Sequence, residues 1–432
     1  MKRALVALSL VLVTLSAGAQ ARRRASQPPR LSDATPAGWL TNHAYRIETT
    51  QTGTPLRDLE PLRTIIGNAT VVGLGDGTHG THEFFEMKLR TIEFLVRELG
   101  FTAVAMEAPF ADWTQLNDYV LGGSGDPREI LIQHRSLGYF MWANDEIVAV
   151  ANWMREYNAT RGSKPPVQIA GMDVFDLAGA RTVVMQYLER ADPSKAAGVR
   201  VTYALCAPQP LTGPIAGQCA ADTEAIRADL AAREAELTAR SSAREFNYAL
   251  HGATLVAADY KSEGKNAGLL LHRDEGMADF AQFIRSRQTT GKLIVWAHQE
   301  HLSKSDRQVD PGKSTAQFLA ERLGSDFFVI GNASAEGTFN AMKVDQKAGT
   351  SVMQPFELPA ASGDSYESSF RSAAIPMLLI PLRGATLPEW LATPRHLHGG
   401  SAIGPYDYVE DLPKKFDAVM YIDRTTPTHS FW

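Results

Sequence analysis

The sequence predicts an α/β fold, a mainly parallel β-sheet flanked by helices, on three observations. Apolar runs rich in Val, Ile and Phe recur at 70–75, 101–107, 167–173, 292–298, 327–332, 375–380 and 416–423. Most are separated by segments long enough for a helix, the alternation that βαβ units produce. Four of the runs stop at an ionisable residue: VVGLGD at Asp76 with His79 close behind, FTAVAMEA at Glu107, VQIAGMD at Asp173, and KLIVWAHQEH at His298 and His301. In an open parallel sheet the carboxyl ends of the strands line the crevice where ligands bind, so these distant residues are expected to meet in one pocket.

The elements follow in order. Met1, Lys2 and Arg3, an apolar run from Ala4 to about Leu15 and the small residues ending Ala19-Gln20-Ala21 form the pattern of a secretory signal peptide over residues 1–21. An exported protein is expected, periplasmic or extracellular after cleavage near Ala21. Residues 22–37 read as a disordered basic leader, and residues 38–432 as the α/β domain. No later stretch reaches the roughly 20 apolar residues that a membrane span needs, so no integral membrane association is expected. The formal charge of −5 is spread over interspersed acids and bases, which argues against the basic face of a nucleic-acid binder. Oligomeric state is not legible.

The clearest helix follows the first strand. In EFFEMKLRTIEFLVREL, Phe85, Leu89, Ile92, Val96 and Leu99 recur at steps of four and three, and Gly100 stops the run. A second helix is expected from about Asn144 to Tyr157. Between about 215 and 290 Ala, Glu, Arg and Leu dominate and no strand signal appears. This is a helical insertion, placed either to cover the crevice or to pack outside the sheet. The two cysteines, Cys206 and Cys219, bracket a Pro/Gly-rich stretch and suit a disulfide in an oxidising compartment, or two buried thiols.

The chemistry concentrates on the strand ends. GDGTHG at 75–80 formally satisfies G-x-G-x-x-G, yet Asp76 would stand where a pyrophosphate should sit, against the anion preference of a helix N-terminus. Read chemically, Asp76 and His79 share a tight turn in which the carboxylate orients the imidazole as a general base. His298 and His301 have three uses open to them: metal ligands, donors to an oxyanion, or ordinary loop residues. With no G-x-S-x-G elbow, water is the expected nucleophile. YESSF at 366–370 and NASAEGTF at 332–339 are pocket walls or ordinary loops.

In combination, GLGDGTHGTHEFFEMKLR, AVAMEAP, the W-x-N-x-E run from Trp142, WMREYN, GMDVFD, RDEGMAD, WAHQEH and FDAVMYID resemble the erythromycin esterase family, in order from about residue 70 to 425. The resemblance implies hydrolysis of a carboxylic ester in a small molecule by an activated water, a macrolide lactone being the family's named substrate. It places the family's catalytic His on His79, its acidic partner, usually Glu, on Asp76, its second-strand Glu on Glu107 and its later His pair on His298 and His301. The family's first-helix Arg falls on Lys88, with Arg90 two residues on. Asp76 is one methylene shorter than Glu, and Lys88 lacks the planar fork of Arg. The catalytic candidates are therefore His79, Asp76, Glu107, His298 and His301; the candidate substrate contacts are Lys88, Arg90, Trp142 and Asp173. No cofactor and no metal are expected. The alternatives are a metal-dependent hydrolase in the same pocket and an exported binding protein that has lost catalysis.

Overall fold

A computed structural model describes residues 32–133, 141–207, 213–262, 273–306, 312–345, 350–401 and 403–431. The expected signal peptide and most of the leader lie outside the described residues. Pro36 and Ala37, read as the end of the leader, already form the first turn of a helix, Pro36–His43, capped by the Thr35 side chain.

The described strands are β1 (Tyr45–Arg46), β2 (Val71–Asp76), β3 (Ala103–Pro109), β4 (Gln168–Asp173), β5 (Leu293–His298), β6 (Phe327–Asp345), β7 (Thr350–Leu358), β8 (Met377–Pro381), β9 (Arg395–Ser401), β10 (Gly404–Glu410) and β11 (Ala418–Thr425). All but β9 and β10 form one sheet in the order β1-β8-β11-β6-β2-β5-β3-β4, with β7 added to β6. From β11 to β4 every neighbouring pair is parallel; β1, β8 and β7 pair antiparallel at the margins. β5 runs between β2 and β3, so the first two long strands are not neighbours.

Because successive strand residues point to opposite faces, the sheet divides the core in two. Val71, Ala103, Ala105, Leu293, Val295 and Val329 face one layer, and Val72, Leu74, Val104, Met106, Ile294 and Trp296 the other. The second layer receives the helix His82–Leu99, which buries Phe84, Phe85, Leu89, Ile92, Leu95 and Val96 and ends at Gly100 in the left-handed conformation, φ 73°. Each such side chain contributes about 1.5–3 kcal/mol when taken from water. The second expected helix runs Asp145–Thr160, its Asn144 cap accepting from the Ile147 N–H at 2.9 Å.

The helical insertion begins earlier than expected. Helices Leu177–Ala191, Pro193–Cys206, Pro214–Ala232, Glu234–Ala239, Ala243–Ser262 and Arg273–Ser286 all lie between β4 and β5. Cys206 and Cys219 are joined in a disulfide, Cα atoms 5.7 Å apart. Val184, Phe246, Leu250 and Phe280 bury these helices against the first layer of the core. Among the described residues of the insertion, the first turn of Arg273–Ser286 reaches the strand ends. The β9–β10 hairpin also covers the crevice, and no apolar run announced it. Gly400 of β9 donates to the Gly77 carbonyl at 2.9 Å and pairs with Thr78. A side chain at Gly400 would collide with the Phe339 ring, so only glycine admits this approach.

Candidate active site

Register alone brings the first pair together: Asp76 and His298 stand opposite each other at the ends of β2 and β5. Between β3 and β4 the register shifts from Met106 to Pro109, and that irregularity spans Glu107. Such a bulge re-aims a side chain at a strand end.

Asp76 is wholly buried, and each of its oxygens is held. Oδ1 takes the Lys88 ammonium, and Oδ2 accepts from His79 Nδ1 and Trp296 Nε1, both at 3.2 Å. The shorter Asp side chain therefore still meets its histidine directly. Lys88 also donates to the Leu74 carbonyl at 2.7 Å and lies 4.7 Å from the Trp296 ring centre. Burial pulls its pKa down to about 8, against the opposing pull of Asp76. With Nδ1–H fixed on Asp76, His79 presents Nε2 as the lone-pair nitrogen, 3.8 Å from Glu107 Oε2.

Glu107 is the second anchor. Oε2 accepts the His298 backbone N–H at 2.7 Å, Oε1 accepts from Arg273 Nη2 at 2.7 Å, and His301 Nε2 stands 3.4 Å from Oε1. Burial would push this carboxyl up; His301, Arg273, His79 and the His298 N–H together hold it well below the usual carboxylate range. Glu107 is an anion at working pH.

The two later histidines differ. His298 Nε2–H donates to the Gly400 carbonyl at 3.1 Å while Nδ1 accepts from the Glu300 N–H at 3.3 Å, so both nitrogens are occupied. Burial and the neighbouring His79 keep it neutral, its pKa well below the ordinary value. His301 Nδ1–H donates to Asp274 at 2.8 Å, and Nε2 faces Arg273 Nη1 at 3.0 Å. Burial lowers the His301 pKa, but Glu107 and Asp274 outweigh it and the net shift is upward.

The four expected substrate contacts are each held by protein partners. Arg90 is fully buried away from the crevice, forked onto Asp58 at 2.7 and 3.0 Å and onto the Pro55 carbonyl at 2.9 Å; it ties the 49–58 segment to the helix. Lys88 holds Asp76. Trp142 donates to the Glu107 carbonyl at 3.0 Å and sets its ring edge-on to His79, centroids 5.2 Å apart, so it walls the imidazole in. Asp173 is wholly buried, accepting Arg273 Nε at 3.1 and 3.2 Å. These side chains position others.

Arg273 was missed as a site residue, although RDEGMAD carried it. It joins Asp173, Glu107 and His301 and is 18% exposed, the most open charged group of the cluster. YESSF and NASAEGTF both lie behind the β9–β10 hairpin and the catalytic turn, where Asn332 backs Gly77 and Phe339 backs Gly400. Glu367 accepts the His398 N–H at 3.0 Å and His398 bonds the Ser334 carbonyl, so both clusters steady β9.

An oriented histidine, an ionised glutamate and an arginine at the ends of three parallel strands suit the hydrolysis of a polar bond. The sequence matches the erythromycin esterase family over residues 96–425. The chain belongs to that family. An erythromycin esterase type II from Escherichia coli is 25% identical over 402 residues, covering 85% of this chain and 93% of the relative. A crystal structure described as a succinoglycan biosynthesis protein superposes with a TM-score of 0.78 at 28% identity, covering 91% of this chain and 97% of the other. A mutant erythromycin esterase in its open conformation, at 16% identity and a TM-score of 0.65, covers 89% of this chain and 98% of its own and shares the fold. As a member of this esterase family, the protein is a carboxylic ester hydrolase acting on a small molecule. Among the described residues no helix is long and apolar enough to cross a membrane.

Proposed function

We propose that the protein opens a macrolide lactone or a comparable ester by direct attack of water, without a covalent intermediate. A water that donates to both His79 Nε2 and Glu107 Oε2 would be fixed between two acceptors 3.8 Å apart. His79 takes one proton as the oxygen attacks the carbonyl carbon. The developing oxyanion gains from the positive charge of Arg273. When the C–O bond breaks, the imidazolium returns its proton to the leaving alkoxide, giving acid and alcohol. Asp76 keeps His79 in the reactive tautomer, and Lys88 sets a countercharge against Asp76.

The observation that carries this reading is the Asp76–His79 pair with Nε2 directed at an ionised Glu107. The macrolide follows from the family and the Escherichia coli relative. Mass spectrometry of 14- and 16-membered macrolides after incubation tests it. The expected result is gain of one water with wild type and a loss of roughly 10²–10⁴-fold in rate with His79→Ala. A His79→Ala protein that stays folded and keeps full rate overturns the mechanism; an unaltered panel moves the substrate to other esters. We also propose export, which the bonded cysteines suit; a mature N-terminus near Arg22 on secreted protein is the expected result.

A further inference from the structure

One turn beyond the catalytic loop stands a second histidine–carboxylate cluster that the hydrolytic reading leaves unused. His82 opens the helix His82–Leu99, Glu146 lies in the first turn of Asp145–Thr160, and His429 belongs to the segment after β11. His82 Nδ1 is 2.6 Å and His429 Nδ1 2.8 Å from the same oxygen, Glu146 Oε1. The two rings stand perpendicular with centroids 4.8 Å apart, and the ligand atoms of all three residues fall within 4.8 Å of one another. Glu146 is buried and takes the His429 backbone N–H on both oxygens, at 3.1 and 3.2 Å. It cannot swing away from the imidazoles without losing these bonds.

We propose that His82, Glu146 and His429 form a binding site for a divalent transition-metal ion of the zinc class, separate from the hydrolytic residues. Two imidazoles and a carboxylate make a borderline donor set, suited to zinc rather than to calcium or magnesium, which prefer all-oxygen shells. Metal–ligand bonds of about 2.0–2.2 Å in a tetrahedron hold donor atoms roughly 3.3–3.5 Å apart, so the two carboxylate contacts open by less than about 1 Å, while donor atoms up to 4.8 Å apart close toward that spacing to admit the ion. Each Nδ1 proton moves to Nε2 or leaves to solvent as the metal takes its place. A fourth position falls to water, because the His429 side chain is 63% exposed.

The surroundings supply what such a site needs next. His82 Nε2 is 3.6 Å from Glu86 Oε1, one helical turn on, and Glu86 Oε2 accepts from the Thr50 hydroxyl at 2.6 Å. With Nδ1 on the metal, Nε2–H would face that carboxylate, the arrangement that orients a ligating histidine and raises its basicity. HEFFE fails as H-E-x-x-H, yet it spaces His82 and Glu86 for this pairing.

The ion would fasten the chain around the catalytic turn. Thr428 N–H donates to the Gly80 carbonyl, Asp145 N–H to the His429 carbonyl and Phe431 N–H to the Ala143 carbonyl. The 426–431 segment thereby clasps both the loop that carries His79 and the stretch that carries Trp142.

Calorimetric titration of the metal-free, full-length mature protein with Zn²⁺ tests the proposal. One equivalent is expected to bind, Co²⁺ to give the visible absorption of a tetrahedral site, and hydrogen exchange at 426–431 to slow. His429→Ala, a change at an exposed side chain that leaves the fold intact, is expected to weaken binding at least tenfold, and Glu146→Gln likewise. His298→Ala, inside the hydrolytic pocket, is expected to bind as wild type. Absence of Zn²⁺ uptake, or uptake unchanged by His429→Ala and lost in His298→Ala, overturns the assignment.

Discussion

Asp76 and Glu107 are both buried carboxylates at the ends of parallel strands, and both face His79, but they keep different company. Asp76 is enclosed: a lysine, an indole N–H and the imidazole of His79 saturate it, and Trp296 covers the lysine. Glu107 is held by a backbone N–H and by an arginine that retains exposure to the crevice. A closed carboxylate can only set the tautomer and angle of its histidine. An ionised carboxylate bordered by a partly exposed arginine can also hold a water and share in charge transfer, so equal burial conceals unequal roles.

The largest break in this comparison is expected from Glu107→Gln. The amide keeps the shape but loses the anion beside the attacking water, and kcat should fall roughly 10²–10³-fold with KM little changed. If kcat survives and only KM rises, Glu107 binds substrate and does not position water. Arg273→Lys comes next. A single ammonium cannot fork Asp173 and reach Glu107 and His301 together, and kcat/KM should fall about tenfold, or about 1.4 kcal/mol. Guanidinium added to Arg273→Ala should restore part of the rate; no rescue would place the residue in folding alone.

The smallest effect sharpens the closed side. Because the Lys88 pKa is lowered to about 8, the ammonium is present below that pH and is lost as pH rises through it, leaving Asp76 without its countercharge. Activity should therefore decline above about pH 8. Lys88→Arg, whose guanidinium stays charged, should move that decline to higher pH while changing the rate at pH 7 by no more than about threefold. An alkaline limb unmoved by the substitution would assign it to another group.

Much of this site was legible because a buried parallel strand is a conspicuous apolar run, and its first polar residue marks the crevice. Asp76, His79, Glu107, Asp173, His298 and His301 were found in that way, and the structure brings them together. Arg273 escaped because it begins a helix, where a basic residue before an acidic pair reads as an exposed first turn. Its three anionic or imidazole partners come from β3, β4 and the turn after β5, and no local pattern encodes them. The β9–β10 hairpin escaped for another reason. HLHGGS carries no apolar run, and the alternation in GPYDYVE is short, although Tyr406 and Tyr408 at spacing two were its signal. Arg90 misled because charge on an amphipathic helix suggests a surface, whereas Asp58, thirty-two positions earlier, neutralises it inside.

The position of β5 has a consequence for how the enzyme comes into being. β2 and β3 are adjacent in sequence order yet leave between them the width of a strand, filled by residues about 190 positions downstream of Glu107. The early βαβ segment cannot zip shut on itself without excluding its own completion. Such long-range insertion makes for slow assembly, with the Asp76–His298 pairing and the bond from the His298 N–H to Glu107 acquired last. Ester turnover in a refolding experiment would thus report the final cooperative step rather than the formation of secondary structure.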